Sequence, residues 1–207
     1  MANNTQTVYI VDDDIAVVDS MKSLLESHGF KTCTYNNPEV FLRNYSHSFQ
    51  GCLLLDVNMP GMDGLRVQSE LVAIGSLLPI IFVTAHADVP TAVQSLKAGA
   101  FEFLQKPYDG EQLLKIVADA LRLNLVTQQE REKTLSIVEK IDCLTPRERE
   151  VLNYIVDGHP NKVIAIDMNL SQRTVEIYRS NVMQKMQTRS LAKLVKMVGE
   201  VPSKLLH

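Results

Sequence analysis

Short apolar runs that each end at a polar residue occupy the first half of the chain and restrict its fold most. The runs are residues 9–11 before Asp12 and Asp13, 52–55 before Asp56, 80–83 before Thr84, and 103–105 before Lys106. Such runs, separated by segments of helical period, predict buried parallel strands, and ligands bind at the carboxyl ends of strands in these folds. We therefore expect three carboxylates, a hydroxyl and an ammonium group to meet at one edge of a sheet.

The segments between the runs have the spacing and the end signals of helices. Ile15, Val18, Met21 and Leu25 repeat every three or four residues, and Gly29 then ends the helix. Further helices are predicted over residues 39–44, 64–74 and 88–98 and from Asp109 onward. Five strand–helix repeats predict an α/β fold, a doubly wound parallel five-stranded sheet with helices on both faces. The predicted strand order is 2-1-3-4-5, and the polar site lies where this order reverses.

The polar cluster has the chemistry of a site for Mg²⁺ and a phosphoryl group. Mg²⁺ binds oxygen ligands and usually takes one or two protein carboxylates, with phosphate and water completing its shell. Asp13 and Asp56 can supply two ligands, the backbone carbonyl of Asn58 a third, and Asp12 can hold a bound water. Without the cation, the clustered carboxylates would repel one another.

The same cluster suggests covalent chemistry, although each member also has a simpler explanation. A carboxylate can attack a phosphoryl donor and form an acyl phosphate. Lys106 can pair with a phosphate oxygen, and Thr84 can donate its hydroxyl to another. Taken singly, Lys106 is a solvated loop lysine, Thr84 an ordinary strand-end threonine, and Asp14 a helix cap. Their joint position at four strand ends favours a functional site.

Charge and composition divide the chain into two parts joined by a polar segment. Residues 1–124 contain 14 acidic and 8 basic side chains, whereas residues 125–207 contain 10 acidic and 13 basic ones. This division suits a cation-binding domain joined to a polyanion-binding one, although a solvated helical surface is the simpler explanation of charge alone. Residues 125–141 are good helix formers with few apolar positions, which predicts a solvent-bridging helical linker before a domain at 142–207.

The second domain carries the signals of an all-α module of four helices. The predicted helices begin near Thr145, Lys162, Ser171 and Ser190. The first start combines a threonine cap, a proline at the first helical position and Glu148 three residues after the cap. A tight turn joins the second helix to the third, which is basic, and two helices in this arrangement predict a helix-turn-helix.

One face of the third helix is predicted to enter a DNA groove. Val175, Tyr178, Val182 and Met186 form the stripe that faces the core. The candidate DNA-contacting residues are Lys162, Arg173, Thr174, Glu176, Ile177, Ser180 and Gln184. An acidic side chain can accept from cytosine N4, an apolar one can meet a thymine methyl, and a lysine at a helix start can contact phosphate. Without the short turn, a solvated helix face would explain the same residues.

Arg179 falls near the core stripe of the third helix. We expect it to form a structural ion pair with Glu148 or Glu150 rather than to contact DNA.

Four motifs of the first half occur together, and the Asp-x-x-Met-Pro-x-x-Asp-Gly stretch within the second of them is very specific. They are Val-Asp-Asp-Asp at 11–14, Leu-Asp-Val-Asn-Met-Pro-Gly-Met-Asp-Gly at 55–64, Val-Thr-Ala-His at 83–86 and Lys-Pro-Tyr at 106–108. With these motifs, residues 7–123 resemble the receiver domain of two-component response regulators. The resemblance implies that Asp56 accepts a phosphoryl group from the phosphohistidine of a sensor histidine kinase. It also implies Mg²⁺ bound at Asp13, Asp56 and the Asn58 carbonyl, with Asp12 nearby.

The receiver resemblance also implies a conformational switch formed by Thr84, Phe103 and Lys106. Phosphate draws the Thr84 hydroxyl inward and the aromatic ring of Phe103 follows, although ordinary core packing would explain Phe103 without the resemblance. The change is expected to remodel the surface made by residues 89–98, 102–105 and the helix from Asp109. Homodimerisation through that surface on phosphorylation is a hypothesis carried by the resemblance.

Motifs of the second half point to a DNA-binding family. They are Leu-Thr-Pro-Arg-Glu at 144–148, Asn-Lys-Val-Ile-Ala at 161–165, Thr-Val-Glu-Ile-Tyr-Arg at 174–179 and Asn-Val-Met-Gln-Lys-Met at 181–186. Residues 144–198 resemble the LuxR-type helix-turn-helix domain, and the whole chain resembles the NarL/FixJ family, most closely its FixJ-like subgroup. His159-Pro160 departs from the family, which usually has a small residue there.

These features together predict a phosphorylation-activated transcriptional regulator that is not an enzyme. Its expected partners are a sensor histidine kinase, double-stranded promoter DNA, RNA polymerase and a second copy of the chain. No membrane partner is expected, because the chain has neither a signal-peptide pattern at residues 1–6 nor a long apolar run. Cys33, Cys52 and Cys143 are odd in number and lack metal spacing, which favours reduced thiols and a cytoplasmic location.

Two other classes of function remain open at this point. An Mg²⁺-dependent phosphatase or phosphotransferase could use the same aspartyl phosphate, but it usually has a second carboxylate two residues beyond the nucleophile, where this chain has Asn58. A phosphorelay or scaffold protein could use the last helices to bind protein. Salt-sensitive binding to duplex DNA would separate the regulator from both, because phosphate contacts release counterions.

Overall fold

The computed structural model describes residues 6–85 and 89–202. Residues 1–5, His86 of the third motif and the predicted helix start at Asp88 lie outside this described part. The chain divides between Gln128 and Gln129 into two compact units. The first unit contains a parallel sheet with helices, and the described part of the second unit is helical.

Five parallel strands form the sheet of the first unit. They are β1 (Thr7–Val11), β2 (Lys31–Tyr35), β3 (Gly51–Leu55), β4 (Ile80–Thr84) and β5 (Glu102–Gln105). Their order is β2-β1-β3-β4-β5 and each neighbouring pair is parallel, which confirms the predicted topology. The strands β1, β3 and β4 are buried along their whole length because both faces of the sheet are covered.

Four short helices connect the strands, and most begin at a cap that the sequence signals. They are α1 (Ile15–Ser27), α2 (Pro38–Asn44), α3 (Gly64–Ala73) and α4 (Val89–Lys97). Asp14 caps α1 by accepting from two backbone amides, Asn37 caps α2, and Asp63 caps α3. Each cap satisfies amide groups that have no partner inside the helix.

The two faces of the sheet form separate cores. On one face, Met21 and Leu25 of α1 pack with Leu113 and Val117 against alternate residues of the central strands. On the other, Phe41 of α2 and Leu71 of α3 pack against the remaining strand residues. Strand side chains alternate in direction, so each central strand contributes to both cores.

A single long helix, α5 (Gly110–Asp142), extends from the first unit into the second. It covers the whole of the predicted linker. Its distal end differs from the solvent-bridging helix that the sequence suggests, because Ile137 and Ile141 are buried in the core of the second unit. In the part of the chain that the structure describes, no helix is long and apolar enough to cross a bilayer.

Four helices follow α5 in the part of the second unit that the structure describes. They are α6 (Pro146–Val156), α7 (Asn161–Asp167), α8 (Gln172–Lys185) and α9 (Leu191–Gly199). A full capping box opens α6 as predicted, since Thr145 and Glu148 each bond the other's backbone amide. Pro160, the departure from the family pattern, occupies the cap position of α7, where no side-chain cap forms.

Candidate functional site

The carboxyl ends of four strands bring the predicted polar residues to one edge of the sheet. Asp12 follows β1, Asp56 follows β3, Thr84 is the last residue of β4, and Lys106 follows β5. Because β1 and β3 are hydrogen-bonded neighbours, Asp12 and Asp56 lie beside each other where the strand order reverses. The structure therefore assembles the polar edge that the apolar runs predict.

Lys106 joins the two aspartates. Its Nζ atom lies 2.6 Å from Oδ2 of Asp12 and 3.0 Å from Oδ1 of Asp56. Asp12 is 2% exposed and Asp56 is 6% exposed, so neither carboxylate is well hydrated. A buried carboxylate needs a compensating charge, and Lys106 supplies it to both.

The second oxygen of Asp56 is held by backbone. Oδ2 accepts a hydrogen bond of 2.6 Å from the amide of Asn58. The side-chain amide of Asn58 in turn donates to Oγ1 of Thr84 at 3.3 Å. Asn58 therefore links Asp56 to Thr84. This role of the Asn58 side chain was not predicted from the sequence, because only the Asn58 backbone carbonyl was considered.

Burial and charge shift the pKa values at this edge. Burial raises the pKa of the Asp56 carboxyl above its ordinary value; the neighbouring Lys106 opposes this rise and Asp12 adds to it. Burial would lower the pKa of Lys106, but hydrogen bonds to Asp12 and Asp56 outweigh burial and raise it. The ammonium group therefore remains charged at neutral pH.

The donor set fits Mg²⁺ without forming a ready-made cage. Across residues 6–85 and 89–202, no group of three His, Cys, Asp or Glu side chains is placed to hold a metal ion. Mg²⁺ does not need such a cage, because it keeps several waters and uses one or two carboxylates with phosphate. Asp56 and the Asn58 carbonyl, with the exposed Asp13 as a further ligand and Asp12 acting through water, are the residues that could hold it.

Phe103 packs against an aromatic side chain rather than joining the hydrogen-bonded residues of the site. It is half-buried on β5, and its ring packs beside that of Phe82, with 6.1 Å between the ring centroids. Thr84 is fully buried. The structure thus gives Phe103 the core packing that its apolar strand predicts, and its role in a switch remains a prediction.

Close contact with the backbone of Asp56 explains why position 64, the last of the longest motif, is a glycine. A Cβ atom on Gly64 would lie 2.2 Å from the backbone oxygen of Asp56. Any side chain there would push the start of α3 away from the site. Glycine at this position therefore allows α3 to pack directly beneath Asp56.

The described part of the second unit presents the predicted face of α8 to solvent. Val175, Val182 and Met186 are buried and Tyr178 is half-buried, which confirms the predicted core stripe. The exposed candidate DNA-contacting residues are Lys162, Arg173, Glu176, Ile177, Ser180 and Gln184.

Two of the candidate residues on α8 have local partners. Thr174 is half-buried, and its hydroxyl lies 2.8 Å from that of the cap residue Ser171. Arg173 and Glu176 form a long ion pair of 3.7 Å, so either side chain can turn toward another partner.

The expected ion pair of Arg179 with Glu148 or Glu150 is wrong. Glu148 pairs with Lys185 at 2.6 Å, and Glu150 pairs with Arg147 at 2.9 Å. Lys185 is the last residue of α8, and its side chain also donates to the carbonyl of Cys143. The buried Glu148 therefore joins the start of α6 to the end of α8.

An acidic edge on a doubly wound sheet and a helix-turn-helix on the same chain define a class of two-part regulators. Comparison with known proteins supports this class over nearly the whole length. Residues 8–118 match the response regulator receiver domain, and residues 142–198 match the bacterial regulatory proteins of the luxR family.

Individual relatives match over more than nine-tenths of the chain. The response regulator protein TodT of Pseudomonas putida is 37% identical over 205 residues, which cover 99% of this chain and 90% of TodT. The transcriptional regulatory protein FixJ of Bradyrhizobium diazoefficiens is 38% identical over 190 residues, which cover 92% and 93% of the two chains. The solved structure of the response regulator StyR has a TM-score of 0.85 at 41% identity, covering 95% of this chain and 99% of StyR.

The chain therefore belongs to the two-component response regulators that join a receiver domain to a LuxR-type DNA-binding domain. Proteins of this family are transcription factors and not enzymes. The receiver domain implies a histidine kinase as partner, and the LuxR-type domain implies binding to DNA.

Proposed function

We propose that this protein is a transcriptional regulator activated when a sensor histidine kinase phosphorylates Asp56. The arrangement of Asp56 carries the proposal, since one of its oxygens is bonded to Lys106 and the other to the Asn58 amide at the strand edge. The carboxylate is therefore held in a fixed orientation at the carboxyl edge of the sheet, which is where ligands bind in such folds.

In the transfer step, an oxygen of Asp56 attacks the phosphorus of the kinase phosphohistidine. A P–O bond forms, the P–N bond breaks, and the released imidazole takes up a proton. Lys106 then pairs with a phosphoryl oxygen, since its ammonium already lies beside Oδ1 of Asp56. Mg²⁺, held by Asp13, Asp56 and the Asn58 carbonyl with Asp12 through water, would neutralise part of the phosphoryl charge.

The switch would begin with the hydrogen bonds of Thr84. Its hydroxyl accepts from Asn58 in this structure, and a phosphoryl group on Asp56 offers a stronger, charged acceptor. Movement of the Thr84 hydroxyl toward that acceptor makes room on β4, which Phe103 of the neighbouring β5 can fill. The local charge event would thus alter packing at the β4–β5 surface.

The surface of α4 supports self-association in the activated state. Val89, Val93 and Leu96 are 76%, 43% and 42% exposed, and their spacing places them on one stripe of the helix. Ser95 is the buried residue on this helix. An apolar stripe exposed to water favours a second copy of the chain as its partner.

The C-terminal module would then bind promoter DNA as one half of a symmetric pair. Arg173, Glu176 and Ile177 lie exposed near the start of α8, which is the end that meets base edges in helix-turn-helix proteins. Lys162 would contact phosphate, and Thr174, Ser180 and Gln184 would complete the reading face. The names of relatives such as FixJ support a role in transcription, with RNA polymerase as a further partner and the cytoplasm as the location.

Acetyl phosphate labelling tests the assignment of Asp56. Wild-type protein with Mg²⁺ should gain the mass of one phosphoryl group, and the Asp56→Asn variant should gain none. Asp109→Asn, which changes an exposed carboxylate of the same unit, is the matched control and should label normally. Undiminished labelling of Asp56→Asn would refute the assignment.

A further inference from the structure

Asn124 is completely buried at the place where α5 leaves the sheet of the first unit. It is 0% exposed, which is rare for an asparagine. Ala120 and Leu121, one turn earlier, are the last apolar residues that α5 contributes to the first core. The next buried residue of α5 is Ile137, which belongs to the second core. Asn124 is therefore the last point at which α5 is fixed to the sheet.

The side chain of Asn124 forms hydrogen bonds with three segments that are distant in sequence. Its Oδ1 atom accepts from the backbone amide of Gly51 at 2.8 Å and from Nε2 of Gln6 at 3.4 Å. Its Nδ2 atom donates to the carbonyl of Leu77 at 2.8 Å. Gln6 also donates to the carbonyl of Leu121 at 2.7 Å. These bonds attach α5 to the starts of β1 and β3 and to the segment before β4.

The chemistry of this junction requires a side chain that both donates and accepts. Gly51 is the first residue of β3, and its amide is bonded to Asn124 instead of a strand neighbour. A Cβ atom on Gly51 would lie 1.8 Å from the carbonyl oxygen of Thr7, so the two strands begin in very close contact. Aspartate would lack the donor for Leu77, and leucine would lack both groups.

We propose that Asn124 is a positioning residue that couples the phosphoryl site to the DNA-binding module, an inference that rests on the proposed function. The network lies at the amino edge of the sheet, opposite Asp56. It adds directional hydrogen bonds to the apolar contacts of α5 and so fixes the last sheet-packed turn of the helix to the start of β3 and the segment before β4. Because Ile137 and Ile141 of the same helix are buried in the second core, α5 is the element through which we expect a change in the sheet to act on that core.

Loss of the network should separate two functions that are otherwise linked. Without Asn124, α5 still forms, since its neighbours are good helix formers, and Leu113 and Val117 still pack in the first core. The end of its packed segment, however, is no longer hydrogen-bonded to the amide of Gly51 and the carbonyl of Leu77. Phosphorylation of Asp56 and DNA binding by α8 then both persist. What is lost is the gain in DNA affinity on activation, which in coupled systems is typically about 5–150-fold.

The test compares wild-type protein with Asn124→Ala in the full chain. DNA affinity is measured by fluorescence anisotropy on a duplex selected from a random-sequence pool by activated wild-type protein. Each affinity is measured with and without beryllofluoride and Mg²⁺, at a temperature where circular dichroism shows both proteins folded. The expected result is that the activation gain falls at least about fivefold, while labelling by acetyl phosphate and unactivated DNA affinity stay within about twofold of wild type. A purely structural role would lower stability without changing this ratio.

Two further variants make the result specific. Thr127→Ala is the matched control, because the Thr127 hydroxyl bonds only the Leu123 carbonyl of its own helix at 2.9 Å among the described contacts; it should keep the full gain. Gln6→Ala removes the longest hydrogen bond of Asn124, the one of 3.4 Å from the half-buried Gln6. This variant should lose part of the gain in DNA affinity on activation.

Each outcome decides one claim. If Asn124→Ala keeps the wild-type gain, the coupling role is refuted while the proposed function stands. If Asn124→Ala does not fold, Gln6→Ala decides, and a full gain in that variant overturns the role. If wild-type protein itself shows no gain, the proposed function fails instead.

Discussion

At the scale of single residues, Lys106 determines the electrostatics of the acidic site. Its ammonium group bonds both Asp12 and Asp56, which are nearly buried. Two carboxylates this close repel each other when no cation lies between them. The lysine therefore holds the site together in the absence of metal, and Mg²⁺ would compete for the same oxygens.

Replacing this lysine should destabilise the first unit. We expect Lys106→Met to lower the free energy of unfolding by about 2–3 kcal/mol at pH 7 without metal, somewhat less than for a fully buried pair because Lys106 is partly exposed. Mg²⁺ should restore more stability to the variant than it adds to wild type. Urea unfolding with chelator or with MgCl₂ measures both effects. The exposed Lys115→Met should change stability by less than about 0.5 kcal/mol, and an equal loss there would contradict the explanation.

The pair of Glu148 and Lys185 has a defined pH dependence. Hydrogen bonding from Lys185, together with the backbone amide of Thr145, lowers the pKa of Glu148 from its ordinary value of 4.5. A carboxyl whose folded pKa is depressed stabilises the protein above its unfolded pKa, and the contribution is lost as the pH falls through the folded pKa. The contribution should therefore be complete above about pH 5 and disappear in more acidic solution.

Glu148→Gln tests this dependence. At pH 7 the variant should lose about 1.5–3 kcal/mol of unfolding free energy, typical of a hydrogen bond to a charged group, and the difference from wild type should shrink below pH 4.5. Urea unfolding followed by circular dichroism at several pH values gives both numbers. Glu150→Gln breaks an exposed pair and should cost less than about 1 kcal/mol. A loss for Glu148→Gln that is independent of pH would be inconsistent with the pair.

Residues at strand ends could be predicted because a parallel sheet brings its carboxyl ends together. Asp12, Asp56 and Lys106 follow apolar runs, and the structure places them within hydrogen-bonding distance. The partners of Glu148 and Asn124 could not be predicted, because Lys185 and Gly51 are far away in sequence. Only the packed helices and the sheet register bring those pairs together.

At the scale of elements, the apolar stripe of α4 is the surface that we propose for self-association on activation. Val93→Asp places a charge at the centre of this stripe. Burying a valine typically contributes about 1.5–3 kcal/mol, so the dimerisation constant of beryllofluoride-activated protein should weaken on the order of tenfold or more. Sedimentation with and without activation measures it, and Val72→Asp, at an exposed position of α3, should have no effect. Normal dimerisation of Val93→Asp would move the interface elsewhere.

We propose different roles in DNA binding for Lys162 and for the exposed face of α8. Lys162→Ala should weaken binding to all duplex sequences similarly and reduce the slope of log affinity against log salt by about 1, as expected for one lost phosphate contact. Binding titrations on the selected duplex and on an unrelated one measure this. Lys115→Ala, in the first unit, should leave the slope unchanged. A sequence-dependent loss for Lys162→Ala would mean that it contacts bases.

Helix starts were predictable, whereas the end of the linker was not. Thr145, Ser171 and Ser190 each cap a helix within a residue or two of the expected position, because caps are encoded locally. Ile137 and Ile141, with Leu135 and Val138 beside them, give only weak periodicity over about two turns at the end of a polar stretch, too short to define a periodic face. Their burial depends on helices that follow later in the chain.

At the scale of the whole molecule, one helix belongs to both compact units. Leu113 and Val117 lie in the first core and Ile137 and Ile141 in the second, all on α5. The charge division of the sequence follows the same units, with the acidic site in the first and the basic helices in the second. A regulator built in this way can change DNA binding only if modification of the first unit alters the state of the second.

The most direct measurement is the DNA affinity of full-length protein with and without beryllofluoride and Mg²⁺, for wild type and for Asp56→Asn. We predict that the mimic raises the affinity of wild-type protein by about 5–150-fold and leaves that of Asp56→Asn unchanged. No gain in wild-type protein, or an equal gain in both proteins, would contradict activation through Asp56.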